Sequence, residues 1–278
     1  MTSPALAAPP NASADVAHRG ALAEFTLQTF AIAAAELRKM RRDPTDIFTR
    51  SVQPLLWLLV FGQVFGRIRA IPTGAVSYPQ FLAPGILAQS VLFTSIFYGI
   101  AIIWERDLGI VQKLLVSPAF RGALVMGKAV AAGVRGVTQA AIVYVVAVAM
   151  GIPLSASPRA LAIVVGSILV GAALFSTFSL LVACIVKTRE RFMGIGQLLT
   201  MPLFFASNAI YPLDMMPGWL KIVAALNPLT YLVDALRTAM LPAVATGGPS
   251  LLTDAGVLVV VFGVLVAVAA RIYPTVVR

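Results

Sequence analysis

Ala160-Leu-Ala-Ile-Val-Val-Gly-Ser-Ile-Leu-Val-Gly-Ala-Ala-Leu-Phe-Ser-Thr-Phe-Ser-Leu-Leu-Val-Ala-Cys-Ile-Val186 decides the class of this chain. The run holds 27 residues and no charge, and a helix of about 20 apolar residues crosses the ~30 Å hydrocarbon layer of a bilayer. Five stretches of the same kind lie around it, at 47–66, 79–104, 123–151, 192–211 and 251–270. Of all 278 residues, 59% are apolar and 12% charged, against roughly 45–50% and 25% in a soluble domain. A mean hydropathy of +0.92 shows that the excess is spread along the chain. These features predict an all-α polytopic membrane protein with six transmembrane helices.

Charge sets the expected orientation. With a cytoplasmic N-terminus, sixteen of the 21 Lys and Arg fall on the cytoplasmic side, as the positive-inside rule requires. The other five are Arg67, Arg69, Arg159, Lys221 and Arg237. An even number of spans returns the C-terminus to the same side. The net charge of +10 is therefore a topological signal and not a nucleic-acid footprint. Cys184 lies within an apolar run and His18 in the leading segment, so neither a histidine-based triad nor a thiolate or multi-histidine metal site can be assembled. No catalytic, cofactor-binding or metal-ligating set is expected.

Residues 1–20 lack a basic start and a compact apolar core, so they read as a disordered cytoplasmic tail and not as a signal peptide. From 21 to 44, apolar residues recur at helical spacing through Leu22, Phe25, Phe30, Ala33, Leu37 and Met40, ending in Arg38, Lys39, Arg41 and Arg42. That pattern is an amphipathic helix for the membrane surface, with a short soluble helix as the plain alternative. The domain that follows covers 45–278. In its third span, Arg135 either projects with the helix end beyond the bilayer or faces a polar cavity. None of the acidic residues falls mid-span, which argues against ion coupling. Gly122-Ala-Leu-Val-Met-Gly127-Lys128-Ala129 approaches a P-loop but has Ala where a magnesium-binding hydroxyl is needed. Its glycines read as easing helix entry, with the lysine at headgroup level. Gly62-Gln-Val-Phe-Gly66, and Ser167 with Gly171, permit close helix contact within or between chains.

Two polar segments carry most of the functional signal. Trp104-Glu-Arg-Asp-Leu-Gly-Ile-Val-Gln-Lys-Leu-Leu-Val-Ser-Pro118 is too polar to span. Glu105 and Asp107 suit the N-terminal end of a short helix and Lys113 its C-terminal end, while Leu108, Val111, Leu114 and Leu115 share a face. Such a helix can press into a groove on a soluble partner or rest on lipid. The second segment runs from Asn208 to Arg237 and is cut by Pro212, Pro217 and Pro228 into helices too short to span. It reads either as a re-entrant outer gate, since broken backbone at bilayer depth must be buried in protein or line a cavity, or as an amphipathic loop on the surface.

Taken together these residues resemble the permease subunits of ABC-2 type exporters, the group with daunorubicin-resistance and nodulation-factor export permeases. The likeness covers about residue 21 to the end. It is carried by Trp104, Glu105, Arg106, Gly109, Leu114, Leu115 and Pro118, followed by Arg121, Gly127 and Lys128. On the outer side it is carried by Met216, Pro217, Trp219 and Leu220, then Asn227 to Tyr231 and Asp234 to Arg237. Asp107 stands where the family often has Glu, which keeps the charge.

The resemblance implies an N-terminal amphipathic connecting helix and a re-entrant pair between spans five and six. It implies ATPase coupling through Trp104, Glu105, Arg106, Asp107, Leu108, Gly109, Leu114, Leu115, Pro118 and Arg121. The outer gate would use Pro212, Pro217, Trp219, Asn227, Pro228 and Tyr231. Two permeases, identical or different, would bind two separate ABC ATP-binding subunits, and ATP and magnesium would sit on those subunits. The location implied is a bacterial inner membrane with both termini cytoplasmic. The cargo would be amphipathic drugs, lipids or glycolipids, with lipid-linked polysaccharide as the rival. Polysaccharide exporters resembling this family use an aromatic-lined channel, whereas Phe and Tyr here look scattered. A lipid-modifying membrane enzyme or a non-transporting scaffold are the readings of another class; the enzyme would rest on Asp214 and Asp234, which look isolated.

Overall fold

The computed structural model describes residues 21–42, 45–68, 71–108, 121–186, 188–241 and 250–272. The expected tail 1–20 and the segment 109–120 lie outside them. Among the described residues there are helices and no strands: α1 (Ala21–Arg42), α2 (Thr45–Leu56), α3 (Gly62–Ile68), α4 (Tyr78–Asp107), α5 (Arg121–Ala149), α6 (Pro158–Ile185), α7 (Arg189–Phe205), α8 (Gly218–Leu226), α9 (Pro228–Met240) and α10 (Leu251–Ile272). A π-helical turn, Trp57–Phe61, joins α2 to α3. Pro54 precedes it and has no N–H for the carbonyl four residues back, so the ladder loosens here without breaking.

Five segments are long and apolar enough to cross a membrane: Phe48–Ile68, Tyr78–Phe97, Gly122–Ala149, Pro158–Ile185 and Leu251–Ile272. The pair α8 and α9 meets the same measure jointly but bends by 82° at Asn227. α7 differs from the expected fifth span, because its 17 residues end at Phe205 and a turn occupies 206–209. At 1.5 Å per residue it is about 25 Å long. The chain is an all-α polytopic membrane protein.

α4, α5 and α6 form the centre, and α9 and α10 pack on α6. Small residues set the closest approaches. A Cβ on Gly85 of α4 would lie 2.1 Å from the Ala209 carbonyl oxygen, so the turn after α7 seats directly on the α4 backbone. The Gly62-x3-Gly66 pair faces Pro79 and Leu82 of α4, and Gly171 of α6 faces Leu232 of α9. Gly62, Gly66 and Gly171 thus each serve a close contact within the chain.

The Gly122–Lys128 stretch takes a role the sequence did not indicate. It lies in the first turns of α5, where α1 packs along it. A Cβ on Gly127 would stand 2.7 Å from Ile32 Cβ and 2.9 Å from the Thr29 carbonyl oxygen. Lys128 does not face outward to lipid or water: it is buried, and its Nζ sits 3.4 Å from Oε1 of buried Glu36. The glycine admits α1, and the lysine pairs with the carboxylate that α1 brings.

Candidate functional site

The described bundle has two polar ends. At one, α7 leads into the α8–α9 pair and α10 begins; Ser155, in the α5–α6 connection, donates its N–H to Met240 O at the end of α9. Both flanking helices meet the pair at this end, so the pair enters and returns as a hairpin. Pro212 and Pro217 stand before a 3-10 turn and before α8, and Pro228 is the first residue of α9. Asn227 holds the bend: its Oδ1 accepts from the Leu229 N–H and its Nδ2 donates to Leu203 O at 2.6 Å. Tyr231 donates to Ala225 O at 2.7 Å, bracing α9 against α8. Trp219 is exposed, as a headgroup-level aromatic would be. Thus Asn227, Pro228 and Tyr231 meet at the bend, and the other three expected gate residues lie along the approach to it.

Behind the bend lies a charged cluster that the sequence reading missed. Asp234 and Arg237 on α9, Asn208 in the turn after α7 and Asp254 in the first turn of α10 are all buried. Asp234 Oδ1 accepts from Asn208 Nδ2 at 2.6 Å and from Arg237 Nη1 at 3.4 Å. Arg237 Nη2 donates to Asn208 O at 2.8 Å, and its guanidinium carbon lies 4.0 Å from the Phe81 ring centroid on α4. Asp234 is therefore not isolated. It joins α9 to the α7 turn, and Arg237 extends the link to α4. The i, i+3 spacing of Asp234 and Arg237 on a short helix was the signal available for this pair.

An aromatic array runs along the first span. Trp57 and Phe61 stack at 4.2 Å, Phe61 and Phe65 at 5.7 Å, and Phe65 meets Tyr78 at 5.9 Å. Phe204 and Phe205 of α7 lie 5.9 and 6.3 Å from Trp57. The scatter seen in sequence is thus a continuous stripe. Its four-residue spacing at 57, 61 and 65 was legible; the contribution of α7 and α4 was not. Nearer the start of the span, a cavity of about 200 Å³ opens between α2 and α4, with Thr49, Arg50, Gln53 and Gln89 as polar lining and Phe93 and Phe97 as aromatic lining. Gln89 is buried, and its Oε1 has no hydrogen-bond partner among the described residues.

The opposite end carries the part of the expected coupling segment that is described. Trp104 and Leu108 are exposed. Arg189, in the first turn of α7, lies 3.6 Å over the Trp104 ring and bonds Asp107 Oδ2 at 3.0 Å. This clamp brings the end of α4 to the start of α7, and in sequence Arg189 is only one of the sixteen basic residues counted for orientation. Glu105 and Arg106 lie in α4 and Arg121 begins α5. Gly109, Leu114, Leu115 and Pro118 fall outside the described residues. From Val125 to Lys128 the N–H groups bond within α5, so the stretch does not form the glycine-rich loop that wraps phosphates.

Comparison with known proteins gives a consistent picture. Residues 27–241 match the family model for ABC-2 type transporters. The chain is 30% identical over 220 residues to the transport permease ycf38 of Cyanophora paradoxa, covering 77% of this chain and 74% of that one. It is 25% identical over 230 residues to the daunorubicin resistance ABC transporter permease protein DrrB1 of Streptomyces coeruleorubidus, covering 82% and 77%. With nodulation protein J of Rhizobium leguminosarum bv. trifolii the identity is 28% over 191 residues, covering 68% and 71%.

Proposed function

The chain belongs to the ABC-2 type transporter family, and from that premise we propose that it is the membrane subunit of an ATP-driven exporter of amphipathic drugs, lipids or glycolipids. The carrying observation is the cavity between α2 and α4, which sets amide and guanidinium groups beside aromatic rings. A molecule with a polar head and an apolar body matches that lining. Hydrolysis takes place on two separate ABC ATP-binding subunits, which hold the nucleotide and magnesium, and a second permease completes the membrane unit. The assembly sits in the bacterial inner membrane with both termini of the chain cytoplasmic.

In the proposed cycle, ATP closes the two soluble subunits and their grooves draw on the segment from Trp104 to Arg121. Leu108, Leu114 and Leu115 form the apolar contact and Glu105, Arg106 and Arg121 the polar ones. The paired permeases then rock between two states, and cargo leaves past the α8–α9 hairpin. A second reading, export of lipid-linked polysaccharide, is favoured by the aromatic stripe from Trp57 to Tyr78, because sugar rings stack on such surfaces.

Co-expression with an ABC ATP-binding subunit from the same genome, purification in nanodiscs and an ATPase assay test the proposal. The expected result is a two-plus-two assembly whose turnover rises with an amphipathic drug or lipid and falls several-fold in Glu105→Ala. Stimulation by a lipid-linked glycan alone selects the second reading. A chain that binds no ATPase, or coupling unchanged in Glu105→Ala, removes the proposed partner or that residue's role.

A further inference from the structure

The cluster behind the hairpin bend holds more negative charge than its internal partners neutralise. Asp234 and Asp254 supply two carboxylates and Arg237 one guanidinium, all of them buried. Asp254 stands in the first turn of α10, and α10 packs against α9, which carries Asp234; the charge of Asp234 acts on it. Six side-chain atoms here have no hydrogen-bond partner among the described residues: five oxygens, Asp234 Oδ2, both of Asp254, Asn208 Oδ1 and Thr230 Oγ1, and one donor, Arg237 Nε. Asn208 belongs to the same constellation, since its amide nitrogen bonds Asp234, and Thr230 lies one helical turn before Asp234 on α9. Buried polar atoms are ordinarily paired, so orphaned oxygens that outnumber the Arg237 Nε donor, three of them on carboxylates, favour a positive occupant.

Access is built in. A cavity of about 180 Å³, lined by Thr230, Asp234, Tyr231, Leu213, Ala225 and Lys221, reaches the cluster from the hairpin end. We infer that Asp234, Asp254, Asn208 and Thr230 form a binding site for one small monovalent cation, entered from the hairpin end of the bundle. An all-oxygen set is the donor chemistry of hard cations. With Arg237 inside the cluster the remaining charge is one, which suits Na⁺ and disfavours a divalent ion. Among the described residues, Lys221 on α8 lines the cavity mouth, and Asp214 follows the lining residue Leu213 in the 3-10 turn; both are exposed. α6, packed on α9, brings only Arg159, exposed at its hairpin end, and α4 presents the Phe81 ring, its charged residues lying at its far end. This site goes beyond the export reading and does not depend on it.

The test uses the full chain in nanodiscs without any ATPase subunit, so its failure is distinct from failure of the exporter proposal. Binding of ²²Na⁺ is measured at pH 8. The expected result is one saturable site per chain, displaced by unlabelled Na⁺ but not by choline, and weakened at least tenfold in Asp254→Asn. Thr230→Val, which keeps both carboxylates and the side-chain shape, is expected to weaken the site too, and so serves if Asp254→Asn does not fold. Absence of saturable binding, or binding unchanged in both variants, overturns the inference.

Discussion

Arg237 is the residue on which the hairpin cluster turns. It donates to Asp234 and to the Asn208 backbone and lies on the Phe81 ring, so three elements lose a shared partner when it goes. Removing one member of a buried ion pair costs about 3–5 kcal/mol, chiefly because the partner charge stays buried and unpaired. Arg237→Met is accordingly expected to lower the thermal midpoint of the purified protein well below that of the double variant Arg237→Met/Asp234→Asn, read by tryptophan fluorescence. Equal midpoints would remove the pairing from hairpin stability. The sequence displayed Asp234 and Arg237 three residues apart, yet Asp254 and Asn208 come from separate elements. No spacing rule unites residues 208, 234 and 254, and only the fold does so.

Among the elements, the legible ones were those whose length and apolar run match a bilayer: α4, α5, α6 and α10 appear close to their expected limits. The hairpin was legible too, because each proline in it marks a helix start or the turn before one. α7 was overextended, since its apolar residues continue past the point where backbone turns replace the helix at 206–209. That turn lies against α4 at Gly85. Gly85→Ala should destabilise by about 1–3 kcal/mol, as the new methyl meets backbone and one element must shift. Gly66→Ala, whose Cβ would sit 3.2 Å from a Pro79 side-chain atom, should change stability far less. Denaturant titrations of the two variants provide the check, and equal losses would contradict the close seating of the turn.

For the molecule as a whole, class and family were readable from hydropathy and two polar segments, whereas the internal polar linkages were not. Those linkages sit toward opposite ends: Glu36 with Lys128, and Arg189 with Asp107 and Trp104, lie toward one, and the Asp234 cluster toward the other. Orientation is testable because Cys184 is the sole cysteine. In a Cys184→Ser background, a cysteine at Ala75 should react with a membrane-impermeant maleimide added to intact cells, and one at Thr188 only after permeabilisation. The reverse pattern would invert the proposed topology.

The shortness of α7 reaches beyond the protein into the surrounding lipid. Its ~25 Å cannot cover a ~30 Å hydrocarbon layer, and a helix too short for its bilayer draws the two leaflets together or recruits neighbours to fill the difference. Beside α7 the filling neighbour on the hairpin side is the seated turn and bent pair, so the leaflet there meets protein of uneven height. A bilayer beside this face is therefore expected to thin, which shortens the apolar path for a headgroup moving along α7.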